Sequence, residues 1–320
     1  MINGTLNASS VVLVGTGGGL YSSSGQQNYG VSLSGTVYNA TVTGIGGIGM
    51  GGQHHGVFVS GLTANSDLTF INSVGGNGGT SNYGVNVSGN LTMVNGTLQF
   101  SNITGGGVLT SNYGVAIAGV VTAPMVIGAD IFGGPGSGND YGLYLSGSLV
   151  ANEVLMSAGS IGIGSSEVGI YLVGTINADI ATLTGLGGGL YSSAGVGNYG
   201  IYLNGATLTV PNGILLTGTG GEGSGGFHHG VSIETTSSTV TSSSFRFQNC
   251  MGGSGGNSNY GVNAAANLSM ASGTLYFNDV SGGSNGTTNY GLYISATVSA
   301  PAIIGTDLFD APDNERRLYG

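Results

Sequence analysis

Along most of the chain, apolar residues alternate with polar or small ones at a period of two, the mark of a strand with one buried face. The pairs Val31/Leu33, Val57/Val59, Val85/Val87, Val115/Ile117, Leu143/Leu145, Ile170/Leu172, Ile201/Leu203 and Val231/Ile233 share one face. Ser32, Ala116, Tyr144 or Tyr202 stands between them on the other. A second strand reads Leu68-Thr69-Phe70, Leu98-Gln99-Phe100, Phe245-Arg246-Phe247 and Leu275-Tyr276-Phe277, again with a polar residue flanked by inward ones. Between the two lies a less regular third segment, such as Asn90-Leu91-Thr92-Met93 or residues 206–210. Helices are not predicted, because glycine and β-branched residues are too dense and no capped apolar stripe occurs.

The strands belong to a repeat. A dipeptide, usually Tyr-Gly followed by an aliphatic, places its glycine at Gly30, Gly56, Gly84, Gly114, Gly142, Gly169, Gly200, Gly230, Gly261, Gly291 and Gly320, a mean interval of about 29 residues. The pattern Phe-x-Asn/Asp-x-x-Gly-Gly begins at Phe70, Phe100, Phe247 and Phe277, always 13 residues before the next marker tyrosine. A longer repeat is superposed: the Gly-Gly-Gly-Leu-Tyr-Ser-Ser of 17–23 returns at 187–193, and His54-His55-Gly56-Val57 returns as His228-His229-Gly230-Val231. Three short strands in about 29 residues make one turn of a solenoid whose coils bury each other's inward faces. The expected fold is therefore all-β, a single-stranded three-sided parallel β-helix of about 10–11 coils, taken as right-handed. It would form one continuous solenoid over 1–320, built from a duplicated block of about six coils, roughly 1–175 and 176–320.

Composition narrows the function. Glycine supplies 68 residues, 40% of the chain is hydrophobic and only 5% is charged, which suits a packed repeat rather than a disordered chain. The basic residues are Arg246, Arg316 and Arg317, against 13 acids, for a net charge of −10. Phosphate neutralisation needs clustered lysines or arginines, so nucleic acid and anionic membrane surfaces are poor partners, and no nucleic-acid partner is expected. No apolar stretch reaches 18 residues, so no membrane insertion is expected. Cys250 is the single cysteine, which excludes an internal disulfide, and no secretory signal stands in this chain.

The marked residues read as structural. Tyr29, Tyr83, Tyr113, Tyr141, Tyr199, Tyr260 and Tyr290 would stack, with His55 and His229 replacing tyrosine in two coils. The preceding Asn28, Asn82, Asn112, Asn198, Asn259 and Asn289 would form an amide ladder along the axis. Asn72, Asn102, Asn249 and Asp279 share the parity of the inward phenylalanines and are expected to tie down a tight bend from inside, followed by glycines with positive φ. The pairs His54-His55 and His228-His229 each offer one imidazole per face and lie six coils apart, so they cannot share a metal. The acids are scattered rather than clustered as glycoside or polysaccharide chemistry requires. No cofactor, no metal and no enzymatic activity are expected.

On these residues the chain resembles bacterial surface β-helix repeat proteins. The segment Leu68-Thr69-Phe70-Ile71-Asn72-Ser73-Val74-Gly75-Gly76, with the following Tyr83-Gly84-Val85, is similar to the alternating Phe-x-x-Asn and Gly-Gly-Ala-Ile elements of chlamydial polymorphic membrane proteins. It is more loosely similar to autotransporter passengers and filamentous haemagglutinin-like adhesins. The spacing here is Phe-x-Asn, and Tyr-Gly-Val replaces Gly-Gly-Ala-Ile. The resemblance implies export and display outside the cell or on its surface.

The end of the chain, Tyr319-Gly320, read into Met1-Ile2-Asn3-Gly4-Thr5-Leu6, gives something close to the run from Tyr199-Gly200-Ile201 through Leu208. Met1, Ile2, Asn3, Arg316, Arg317, Tyr319 and Gly320 are thus a candidate subunit joint, and the chain itself is the expected partner in a head-to-tail homopolymer. The leading expectation is a structural extracellular fibre subunit. The alternatives are a segment of a large surface-displayed adhesin, meeting a host or neighbouring-cell surface or a glycan, and, last, a polysaccharide-active β-helix enzyme.

Overall fold

A computed structural model describes residues 1–19, 27–107, 109, 111–189 and 194–309. The described residues contain strands, turns and bends and no helix. Their strands pair in parallel in coils of roughly 29 residues, so the fold is a β-solenoid. The chain divides into two compact units, Met1–Gly162 and Ile163–Gly320.

In the first unit one coil shows the plan. Val85–Val87 forms a first face, Leu91–Met93 a second and Thr97–Thr104 a third. Each face pairs with the same face of the coils before and after it. Val85 lies beside Val57 and Val115, Leu91 beside Leu62 and Val121, and Phe100 beside Phe70 and Gly128. The alternation in the sequence sets which side chains point inward: Val85, Val87, Leu91, Leu98 and Phe100 are fully buried, whereas Asn86 and Gln99 are partly exposed. Phe70 and Phe100 stack inside at 5.4 Å between centroids. No coil covers its own inward face, so the next coil supplies the contact.

The second unit repeats the plan by itself. Ile201, Val231, Val262 and Leu292 align on the first face, Leu208, Val240 and Met270 on the second, where Leu268 lies beside Ser238 and Val298, and Leu216, Phe247, Phe277 and Gly305 on the third. Phe247 and Phe277 stack at 5.1 Å.

The bend residues differ from the sequence expectation. Asn72, Asn102, Asn249 and Asp279 are exposed and do not point inward with the phenylalanines. Each has a left-handed backbone, with φ of 50–52°. A left-handed residue inside a strand breaks the alternation, so the next residue turns inward instead: Ser73, Ile103, Cys250 and Val280 are buried. Asparagine and aspartate tolerate this conformation better than other side chains carrying a Cβ. The following glycine pairs, such as Gly75-Gly76, do not take positive φ. They are glycine because backbone packs against them: a Cβ on Gly76 would meet the carbonyl oxygen of Gly47.

Candidate functional site: an inner polar column and an outer ring stack

The turn leading into each first face carries the residues singled out by the repeat. In Asn-Tyr-Gly the first residue points into the solenoid and the second away from it. The glycine lets neighbouring faces approach, since a Cβ on Gly56 would lie 2.5 Å from the oxygen of Gly44 and 2.6 Å from that of Gly84.

The inward asparagines do not form an amide-to-amide ladder. Each side chain instead accepts the backbone N–H of the equivalent residue one coil earlier. In the first unit the N–H of His54 donates to Asn82 Oδ1 (2.9 Å), that of Asn82 to Asn112 Oδ1 (3.2 Å) and that of Asn112 to Asp140 Oδ1 (2.6 Å). In the second, the N–H of Glu167 donates to Asn198 Oδ1 (3.0 Å), that of His228 to Asn259 Oδ1 (2.9 Å) and that of Asn259 to Asn289 Oδ1 (2.9 Å). Most of the amide nitrogens donate to loop carbonyls within the coil, as Asn82 Nδ2 does to Gly78 (2.8 Å) and Asn289 Nδ2 to Asn285 (2.9 Å), whereas Asn198 Nδ2 reaches Glu222 of the next coil (2.6 Å). Asn28, at the start of the described column, is exposed and donates through Nδ2 to Ile48 (3.2 Å). The physical reason is the burial of an N–H that the sheet leaves unpaired at the turn; the side-chain oxygen satisfies it. An amide-to-amide bond does occur in the outward series, where Asn102 Nδ2 donates to Asn72 Oδ1 (2.7 Å).

His54, Asp140, Glu167 and His228 are members of the same column that the sequence reading missed, all fully buried. The histidines fit because a neutral imidazole offers one acceptor and one donor, as asparagine does. His54 Nδ1 faces the N–H of Asn28 (3.4 Å) and Nε2 the oxygen of Gly49 (3.0 Å); His228 faces the N–H of Asn198 (3.3 Å) and the oxygen of Gly223 (2.9 Å) in the same way. This pairing fixes the tautomer with the proton on Nε2. Asp140 fits less well: its Oδ2 is buried with no hydrogen-bond partner. Burial pushes its carboxyl up to about 7 despite Asn112 and the backbone N–H groups of Gly136 and Gly138, which favour the charged form.

Outside, the marker rings lie on one another. Tyr29–His55, His55–Tyr83, Tyr83–Tyr113 and Tyr113–Tyr141 are stacked at 4.7–5.2 Å in the first unit. Tyr199–His229, His229–Tyr260 and Tyr260–Tyr290 are stacked at 4.8–5.8 Å in the second. A second ring row joins them from the first-face strands: Phe58 and Tyr144 in one unit, Tyr202 and Tyr293 in the other. His55 and His229 stay in the stack as neutral rings, because burial and then the neighbouring histidine lower each to about 3. Their Nδ1 atoms accept the N–H of Tyr83 (3.2 Å) and Tyr260 (3.0 Å).

Of the candidate joint, Met1 is exposed and Ile2–Leu6 pairs with the strand Val31–Val37, placing Asn3 beside Ser34. Arg316, Arg317, Tyr319 and Gly320 lie outside the described residues. Cys250 is fully buried, and burial pushes its thiol up to about 12, so it is packed rather than reactive. Among the described residues no group of three or more His, Cys, Asp and Glu is placed to hold a metal. Comparison with known protein families, with curated proteins and with solved structures finds no match to this chain.

Proposed function

We propose that the chain is a non-catalytic structural subunit whose coils stack end to end with those of further copies, forming a filament outside the cell or on its surface. The supporting observation is the state of the two outermost described coils. In the second unit, Ile294 and Ile303 occupy the register of Ala264 and Leu275, which are 1% and 0% exposed, yet they are themselves 45% and 51% exposed. In the first unit Ile2 and Leu13, beside the fully buried Leu33 and Val42, are only half-covered.

An uncovered coil presents both inward apolar side chains and a row of unpaired N–H and C=O groups, which template another strand. Covering the exposed half of one such isoleucine contributes about 1 kcal/mol. A second copy offering its residues 2–16 to the edge at 292–309 meets both needs at once. Electron microscopy and sedimentation of the purified chain over a rising concentration series test the reading. Polymers of regular axial repeat are expected, shortened by Ile303→Lys. Particles that remain monodisperse at high concentration would refute it.

A further inference from the structure

One cleft in the second unit departs from the repeat. It encloses about 470 Å³ and is lined by Tyr199, Phe227, His229, Glu234, Asn263 and Tyr293 among others. Phe227 has a left-handed backbone (φ 61°), as do Gln27, Gln53, Ser81, Ser111, Asn139, Ser166 and Ser258 at the same place in other coils. Only here is that residue aromatic, and its ring is 52% exposed, so burial does not compensate the strain. Its ring stands edge-on to His229, with centroids 6.4 Å apart.

The second departure borders the same cleft. After the first-face strand, other coils place Ser88-Gly89, Ser146-Gly147 or Asn204-Gly205; this coil places Glu234-Thr235. Thr235 is left-handed (φ 65°), an outlier for a β-branched residue. Strained residues persist where function holds them. The matching coil of the first unit carries His54-His55 but has Gln53 and Ser60 in place of Phe227 and Glu234, so the histidine pair alone does not require either.

Glu234 is held in place by neutral donors. Oε1 accepts from Ser232 Oγ (2.7 Å) and Asn263 Nδ2 (2.5 Å), and Oε2 from Tyr199 Oη (3.2 Å). His229 Nε2 lies 3.6 Å away. No arginine pairs with this carboxylate among the described residues, so its charge is oriented but unbalanced. A hard divalent cation needs about six oxygen ligands, which one carboxylate does not supply. A neutral saccharide needs several free donors and acceptors, whereas three of the positions on Glu234 are already taken and Asn263 Oδ1 is the unpartnered side-chain acceptor left among the described lining residues. An ammonium group needs only the charge and an aromatic face.

We propose that this cleft binds an organic ammonium group, with Glu234 as its counter-ion and the Phe227 ring as its π face. The chain contains no lysine, so a lysine-type occupant comes from another molecule. The proposal is independent of filament formation. Its test is calorimetric titration with choline and with its neutral isostere 3,3-dimethyl-1-butanol, on the wild type, Glu234→Gln, Phe227→Ser and the pair Glu234→Ser/Thr235→Gly. The last two restore residues that the repeat uses elsewhere; Phe227→Ser should melt no lower than the wild type, and the double variant, which frees Ser232 and Asn263 but relieves the strain at Thr235, should stay folded.

Saturable choline binding is expected, about tenfold or more tighter than the isostere, weakened by salt, and weakened about tenfold or more in every variant. Absence of saturable choline binding would overturn the proposal. So would equal binding of the isostere, unchanged affinity in the folded variants, or a saccharide occupying the cleft that choline cannot displace.

Discussion

Replacing Asp140 by asparagine should stabilise the protein at neutral and alkaline pH and do little in acid. Asp140 stands where the inner column elsewhere uses an amide: Oδ1 accepts the N–H of Asn112 and Oδ2, buried, has no partner. Its folded pKa of about 7 lies above the ordinary 3.8, so the unfolded chain loses this proton first as pH rises. The folded state therefore carries no penalty below about pH 4, an increasing one between about 4 and 7, and the full penalty above 7. At 1.36 kcal/mol per pH unit, that penalty is about 4 kcal/mol. Asparagine keeps the Oδ1 acceptor for the N–H of Asn112 and does not ionise, so it carries no such penalty. Denaturant unfolding of both proteins at pH 4, 6 and 8 measures the difference. The difference should be near zero at pH 4 and reach about 3–4 kcal/mol in favour of Asp140→Asn at pH 8. A pH-independent difference, or a variant less stable at pH 8, would refute the assignment of Asp140 as an ill-matched column member.

Other perturbations follow from the same geometry. His55 and His229, lowered to about 3, stay neutral in the folded state while the unfolded chain takes up protons below pH 6.5. Their contribution to stability is therefore lost as pH falls from about 6.5 towards 3, and neither imidazole should titrate between pH 8 and 5 by NMR. Gly56→Ala places a methyl 2.5–2.7 Å from three carbonyl oxygens and should cost about 3 kcal/mol or more by denaturant unfolding. Gly18→Ala, whose Cβ meets nothing within 4 Å, should stay within about 0.5 kcal/mol by the same measurement. Asn72→Val forces a β-branched residue into a left-handed conformation and should lower stability by about 1–2 kcal/mol, whereas Asn72→Gly should cost less than about 1 kcal/mol; thermal unfolding distinguishes them.

The fold was legible because its signals are periodic. Val85 and Val87 declare their face through a period of two, and the register of Val57, Val85 and Val115 follows from the spacing of the markers. Period two puts Asn72 on the inward face because it assumes an unbroken strand, and one left-handed residue between Phe70 and Ser73 reverses the count. The recurrence of Asn or Asp at that one place was the available signal, since those side chains tolerate the left-handed region.

The inner column is defined by position and not by residue type. His54, Asp140, Glu167 and His228 all stand one residue before a marker position, as the asparagines do, and an imidazole presents the same acceptor and donor pair. Its true partner, a backbone N–H one coil earlier, was hidden because pairing in a parallel sheet depends on how the turn leaves that group. The cleft at Phe227 and Glu234 was visible only as two departures from a repeat, and their convergence needed coordinates.

Equivalent residues of successive coils lie directly beside one another. Amide-to-amide and ring-to-ring NOEs in a deuterated, selectively tyrosine-labelled sample measure this. Cross-peaks should link the amide protons of Thr69 and Gln99, and the rings of Tyr83 with Tyr113 and Tyr113 with Tyr141. Cross-peaks from Thr69 to amides two or more positions away from Gln99, with none between successive marker rings, would contradict the account.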